Sequence, residues 1–133
     1  MTSKQAFSFF QDELKFWQKE LGLLDWQIDS AFDSQEEGNR ATANIHSEAH
    51  SSFIILEKGW VEGETAEVVD ETIVRRSAFH EVCEVMLDDL ESITDALSDA
   101  DRARARVAAH AIIRRLENCL FPLRWAIEKK EKR

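Results

Sequence analysis

Hydrophobic period changes twice along this chain, and that change limits the fold more than any other feature. Between residues 26 and 56 apolar and polar side chains alternate, whereas on both sides apolar residues recur every three or four positions. Alternation belongs to strands and the longer period to helices, so a small sheet must pack against helices drawn from both ends of the chain, an α+β arrangement. Phe7, Phe10, Leu14, Trp17 and Leu21 share one helical face and Gly22 supplies a stop, which predicts a helix over residues 3–21. A strand over 26–32 sets Trp26, Ile28 and Ser30 against Gln27 and Asp29. Glu36-Glu37-Gly38-Asn39 has turn chemistry. Ala41, Ala43 and Ile45 then alternate with Thr42, Asn44 and His46, and residues 52–56 complete a three-stranded sheet expected to be mostly antiparallel.

Residues 58–64 contain two glycines and read as a connection, followed by a helix that begins between Thr65 and Asp70 and reaches about Glu91. Its buried stripe is Phe79, Val82, Cys83, Met86, Leu87 and Leu90, and His80, Glu81, Glu84 and Asp88 gather on the adjoining face. Ser98 with Asp101 resembles a capping box. Ala105, Ala109, Ile112, Ile113, Leu116 and Leu120 mark the apolar face of a long last helix expected to end near Pro122. Residues 1–125 are read as one domain and 126–133 as a charged tail, with Lys129, Lys130, Lys132 and Arg133 fraying into solvent.

A length of 133 residues suffices for a core without disulfides, and 44% apolar with 32% charged residues excludes a disordered chain. The longest aliphatic or aromatic run, Phe53-Ile54-Ile55-Leu56, is too short to span a bilayer, and the N-terminus has no secretory pattern. The expectation is a cytoplasmic protein with no membrane partner and with Cys83 and Cys119 reduced in the core. The net charge of −9 is uneven: residues 1–101 carry 7 basic and 23 acidic side chains, and residues 102–133 carry 10 and 3. That balance disfavours sequence-independent nucleic-acid binding and lays a basic last helix against an acidic body. The same basic stretch breaks the continuous anionic surface that a DNA mimic needs.

Within the central helix stands His80-Glu81-Val82-Cys83-Glu84. Residues four apart project from nearly the same side, so His80 and Glu84 can reach one divalent ion while Glu81, further round, faces its water. A metal ion acidifies water and polarises a carbonyl, and a neighbouring carboxylate moves the proton, which is what hydrolysis requires. His80 and Glu84 are therefore candidate ligands, Glu81 the candidate general base and zinc the candidate cofactor. The usual helical pair is two imidazoles, and here Glu84 stands in the second place. His46 and His50 are also four apart, but Ser, Ala and Glu surround them as in a surface turn; Trp26, Trp60 and Trp125 read as packing residues.

The order of elements, the segment Leu21-Gly22-Leu23-Leu24-Asp25-Trp26-Gln27-Ile28, and Ala78-Phe79-His80-Glu81-Val82-Cys83-Glu84 together resemble a family of small zincin-like proteins encoded by phages and prophages. Ala109-His110-Ala111-Ile112-Ile113-Arg114-Arg115-Leu116-Glu117 is similar as well. The resemblance implies a minimal metallopeptidase acting on a protein or peptide, whose last helix supplies a further ligand. His110 is placed in the ligand set and Glu117, seven residues on, is the alternative, although their face lies opposite Ile112 and Leu116. Asp88 lies eight residues from His80, about 12 Å of helix, too far to join it on one ion, and is expected to meet solvent or an arginine. A competing expectation is a zincin-like fold without catalysis that binds a host or phage protein through its acidic face.

Overall fold

A computed structural model describes residues 1–63 and 67–131, with side chains through residue 126. The first helix, α1 (Ser3–Glu20), starts at a reciprocal cap: Thr2 Oγ1 accepts from the Gln5 N–H at 3.1 Å and Gln5 Oε1 accepts from the Thr2 N–H at 2.9 Å. It stops as expected, because Gly22 takes a φ of 72° and lets the Leu23 N–H return to the Gln18 carbonyl at 2.8 Å. Ala6, Phe10, Leu14 and Trp17 form its buried face.

Three strands follow, β1 (Gln27–Asp33), β2 (Ala41–His46) and β3 (Ser51–Glu57), in the order β1-β3-β2. The central strand is β3, parallel to β1 with Gln27 opposite Ser51 and antiparallel to β2 with Ala41 opposite Leu56. The sheet is thus mixed, one pairing of each kind, rather than mostly antiparallel. Residues 47–50 close a tight β2–β3 hairpin, which leaves β1 only the far side of β3. His50 holds that arrangement from a left-handed φ of 46°: its ring stacks on Trp26 at 4.9 Å and 7°, its Nδ1 lies 3.2 Å from Asp25, and its carbonyl accepts from the Gln27 N–H at 2.9 Å. At the end of β3 the buried Glu57 carboxylate accepts from the Gln35 and Glu36 N–H groups and the Thr42 hydroxyl, which pins the loop before β2.

Where a plain connection was expected, residues Lys58–Glu62 form a short helix, α2, whose Trp60 is buried. The central helix, α3 (Glu71–Ile93), is capped by Asp70, whose side chain accepts from the Ile73 N–H at 2.9 Å. Packed by α1, β2 and a last helix, α4 (Asp99–Glu131), it is covered on several sides. Phe79, Val82 and Cys83 are fully buried as expected, Met86 and Leu87 half so, and Leu90 is exposed because the end of α3 runs past the core.

Between α3 and α4 lies a 3-10 turn, Thr94–Ala96, and the expected cap forms, with the Asp101 N–H donating to Ser98 Oγ at 3.3 Å. Instead of ending near Pro122, α4 runs through it to Glu131. Phe121 is buried against Phe79, and the rings of Phe121 and Trp125 take the guanidinium groups of Arg76, Arg75 and Arg124. Contacts on both sides of the proline offset the hydrogen bond it cannot make. Cys119 and Ile112, expected in the core, are exposed, because α4 turns Ala109, Ile113 and Phe121 inward. Lys132 and Arg133 lie outside the described residues, and no described helix is long and apolar enough to cross a membrane.

Candidate metal centre

The site is built where α3 crosses α4. Ascending α3, His80 meets Glu117 and Glu84 meets His110, so the two helices run in opposite directions. Val82, Val85, Ala109 and Ile113 fill the interior of this region, and their burial fixes the rotation of each helix about its axis. That rotation brings His110 and Glu117 round to His80 and Glu84. The sequence-level objection, that their face lies opposite Ile112 and Leu116, falls because Ile112 points outward and Leu116 is only half-buried.

His80, Glu84 and His110 each offer a donor atom, and the three lie within 4.8 Å of one another. Glu84 Oε1 is 3.4 Å from His80 Nε2 and 3.3 Å from His110 Nε2. Those separations are long for N–H···O hydrogen bonds. Tetrahedral coordination with bonds of about 2.0–2.1 Å places its ligands about 3.3–3.4 Å apart, which matches both distances to Glu84, while all three donors lie within 4.8 Å. With side chains 29%, 27% and 39% exposed, the donors border solvent and leave room for a further ligand. Two imidazoles and a carboxylate form a donor set suited to zinc.

Glu117 is the partner of His80 rather than a fourth member of that group. Its Oε1 lies 2.8 Å from His80 Nδ1, on the ring edge away from Glu84. A carboxylate holding Nδ1 fixes the ring and its tautomer and aims Nε2 at the ligand position. Bonding to Glu117, and next to Glu84, raises the His80 pKa to about 10 against the opposing effect of burial. Without a metal the imidazole is thus a cation held between two carboxylates.

Glu81 lies deeper, 6% exposed. Burial and the Glu84 charge push its carboxyl well above the usual range, while the Ala43 N–H donates to it. Glu84 is half-buried, which raises its carboxyl, yet the neighbouring His80 ring with its charge and the bond from Glu81 hold it below the ordinary value. Ala43 sits on the open side of β2: the Glu57 N–H donates to the Arg40 carbonyl, so in the antiparallel alternation Arg40, Thr42 and Asn44 bond toward β3 and Ala41, Ala43 and Ile45 turn outward. Glu81 therefore stands between the three donors and the border of the sheet.

Beside these groups opens a cavity of about 300 Å³ lined by Asn39, Arg76, His80, Glu81, Arg114 and Glu117, among others. Of the remaining candidates, Asp88 is half-buried, with its Oδ2 buried and without a hydrogen-bond partner among the described residues. His46 is exposed and His50 is held by Trp26 and Asp25. Trp60 is buried and donates to Glu67, and Trp26 and Trp125 pack against other side chains. Burial, with the Glu117 and Glu84 charges, drives the Cys83 thiol to about 12, which leaves it protonated and inert. Comparison with known proteins finds no family model, no curated protein and no solved structure that matches this chain.

Proposed function

We propose that the chain is a metal-dependent hydrolase of peptide bonds, a minimal zincin-like domain with Glu84 in the place of the second helical histidine. The single observation that carries this reading is the convergence of His80, Glu84 and His110 from two helices at ligand spacing, with Glu117 fixing the His80 ring. His80, Glu84 and His110 would hold the ion, which when bound supplies the Lewis acidity for hydrolysis near neutral pH. Glu81 is the group that takes and returns a proton at its carboxyl, and Ala41 and Ile45 on the open border of β2 offer backbone groups to an extended peptide. The likeness to small phage and prophage proteins belongs to the same proposal.

A second reading, a non-catalytic binding domain, draws on one observation: Glu81 is buried, and that burial raises its carboxyl, whereas a general base must ionise and must reach water. Metal content and hydrolysis separate the two. Protein purified without chelators should carry a stoichiometric ion that His80→Ala and His110→Ala lose, and Glu81→Gln should keep the ion but abolish peptide cleavage. Trace metal in all forms would remove the hydrolase reading, and full metal without cleavage would leave the binding domain.

A further inference from the structure

Arginines stand against the candidate ligands in a body that is otherwise acidic. Arg76 lies four residues before His80 on α3, and Arg114 lies four residues after His110 on α4, each about 6 Å along its helix from a candidate ligand. Both line the cavity of about 300 Å³ that also contains His80 and Glu81. Neither forms a salt bridge among the described residues. Arg76 is half-buried, its guanidinium rests over the Phe121 ring at 5.3 Å, and its Nε is buried with no hydrogen-bond partner. An arginine held rigidly with an unmet donor is matched by a planar anion that accepts two parallel hydrogen bonds.

The other charged groups of the cleft do not fill that need. Arg40 is engaged by Glu67 through its Nε at 3.1 Å and its Nη2 at 2.7 Å. Glu117 is committed to His80, its Oε1 2.8 Å from the ring Nδ1. The cavity is at the small end of the range for ligand sites, about 300–1,000 Å³, and suits one terminal residue better than a long extended segment.

We propose that this cleft takes the free α-carboxylate of a peptide's last residue, with Arg76 and Arg114 as its clamp, so that the bond presented to His80, Glu84 and His110 is the C-terminal one. The proposal rests on the hydrolase reading and narrows its substrate to peptides trimmed from the carboxyl end. Hydrolysis of that bond adds one water and releases the terminal amino acid and a peptide shortened by one residue, its new carboxyl formed at the attacked carbonyl.

Binding tests the clamp without relying on turnover. An N-acetyl dipeptide would be titrated calorimetrically into the protein with and without zinc, as the free acid, as the C-terminal amide, and as an amide carrying an internal glutamate. The free acid should bind at least tenfold tighter than either amide, and Arg76→Gln and Arg114→Gln should erase that preference while leaving zinc stoichiometry unchanged. Equal binding of free acid and simple amide, tight binding of the glutamate-bearing amide, or no binding of any form would overturn the proposal. Zinc binding retained beside such a result would leave the hydrolase reading standing. Preference for the free acid in a protein that takes up no zinc would uphold the clamp and remove the hydrolase reading instead.

Discussion

His80 and Glu84 could be paired from sequence because one helical turn separates them, and the structure places both against one point. His110 was placed beside them with Glu117 as the alternative, and the structure brings His110 to the ligand group, but spacing alone gave no reason to prefer it. Seven residues apart on one face, they stand about 10 Å apart along α4, and which of them meets Glu84 depends on how far along α3 the helix is seated, which Ala109, Ile113 and Phe121 set by packing inward. Their division of labour, one beside the ligands and the other behind His80, has a measurable consequence. In the metal-free protein His80 keeps its proton up to about 10, against 6.5 for an unperturbed ring. A pKa raised by folding makes the stabilising contribution whole below 6.5 and removes it as pH climbs through about 10. Glu117→Gln deletes the largest cause, so the His80 ring signals, followed by NMR into alkaline solution, should titrate at lower pH than in the parent. The same substitution should weaken zinc binding about 10–100-fold, the usual cost of losing such a carboxylate, and an unchanged affinity would show that Glu117 does not orient the ring.

At the scale of elements, α1, the three strands, α3 and α4 were legible because each has a clear period and a capping or turn residue at its start or end. The parallel partnership of β1 was not, since pairing direction depends on which side of β3 the hairpin leaves open. Pro122 misled for a related reason: locally it ends a helix, yet Phe121 and Trp125 bury apolar surface on either side of it. The helix therefore retains a local cost there. Pro122→Ala should restore one backbone hydrogen bond and raise stability by up to about 3 kcal/mol, read as a later denaturant midpoint with unchanged metal content. A loss of stability would mean that the ring itself supports the packing.

In the whole molecule, Phe79 is the point where helices meet, its ring 4.4 Å from Trp17 on α1 and 6.2 Å from Phe121 on α4. Phe79→Ala should cost about 3–5 kcal/mol, a large part of the roughly 5–15 kcal/mol that holds a domain folded. Because His110 and Glu117 reach the site only while α4 is seated, zinc affinity should fall with stability; Phe79→Leu, measured in the same unfolding and binding assays, should lose far less of either. The uneven charge anticipated an attraction between the two ends of the chain, and α4 does bring His110 to Glu84 and Arg124 to Glu13, although most of its arginines face solvent. The bond from Ala43 to Glu81 reaches beyond the site. A sheet with an unpaired margin invites a foreign strand to continue it, and with the Ala43 N–H taken by Glu81 the groups that margin still offers to such a strand are those of Ala41 and Ile45 on either side.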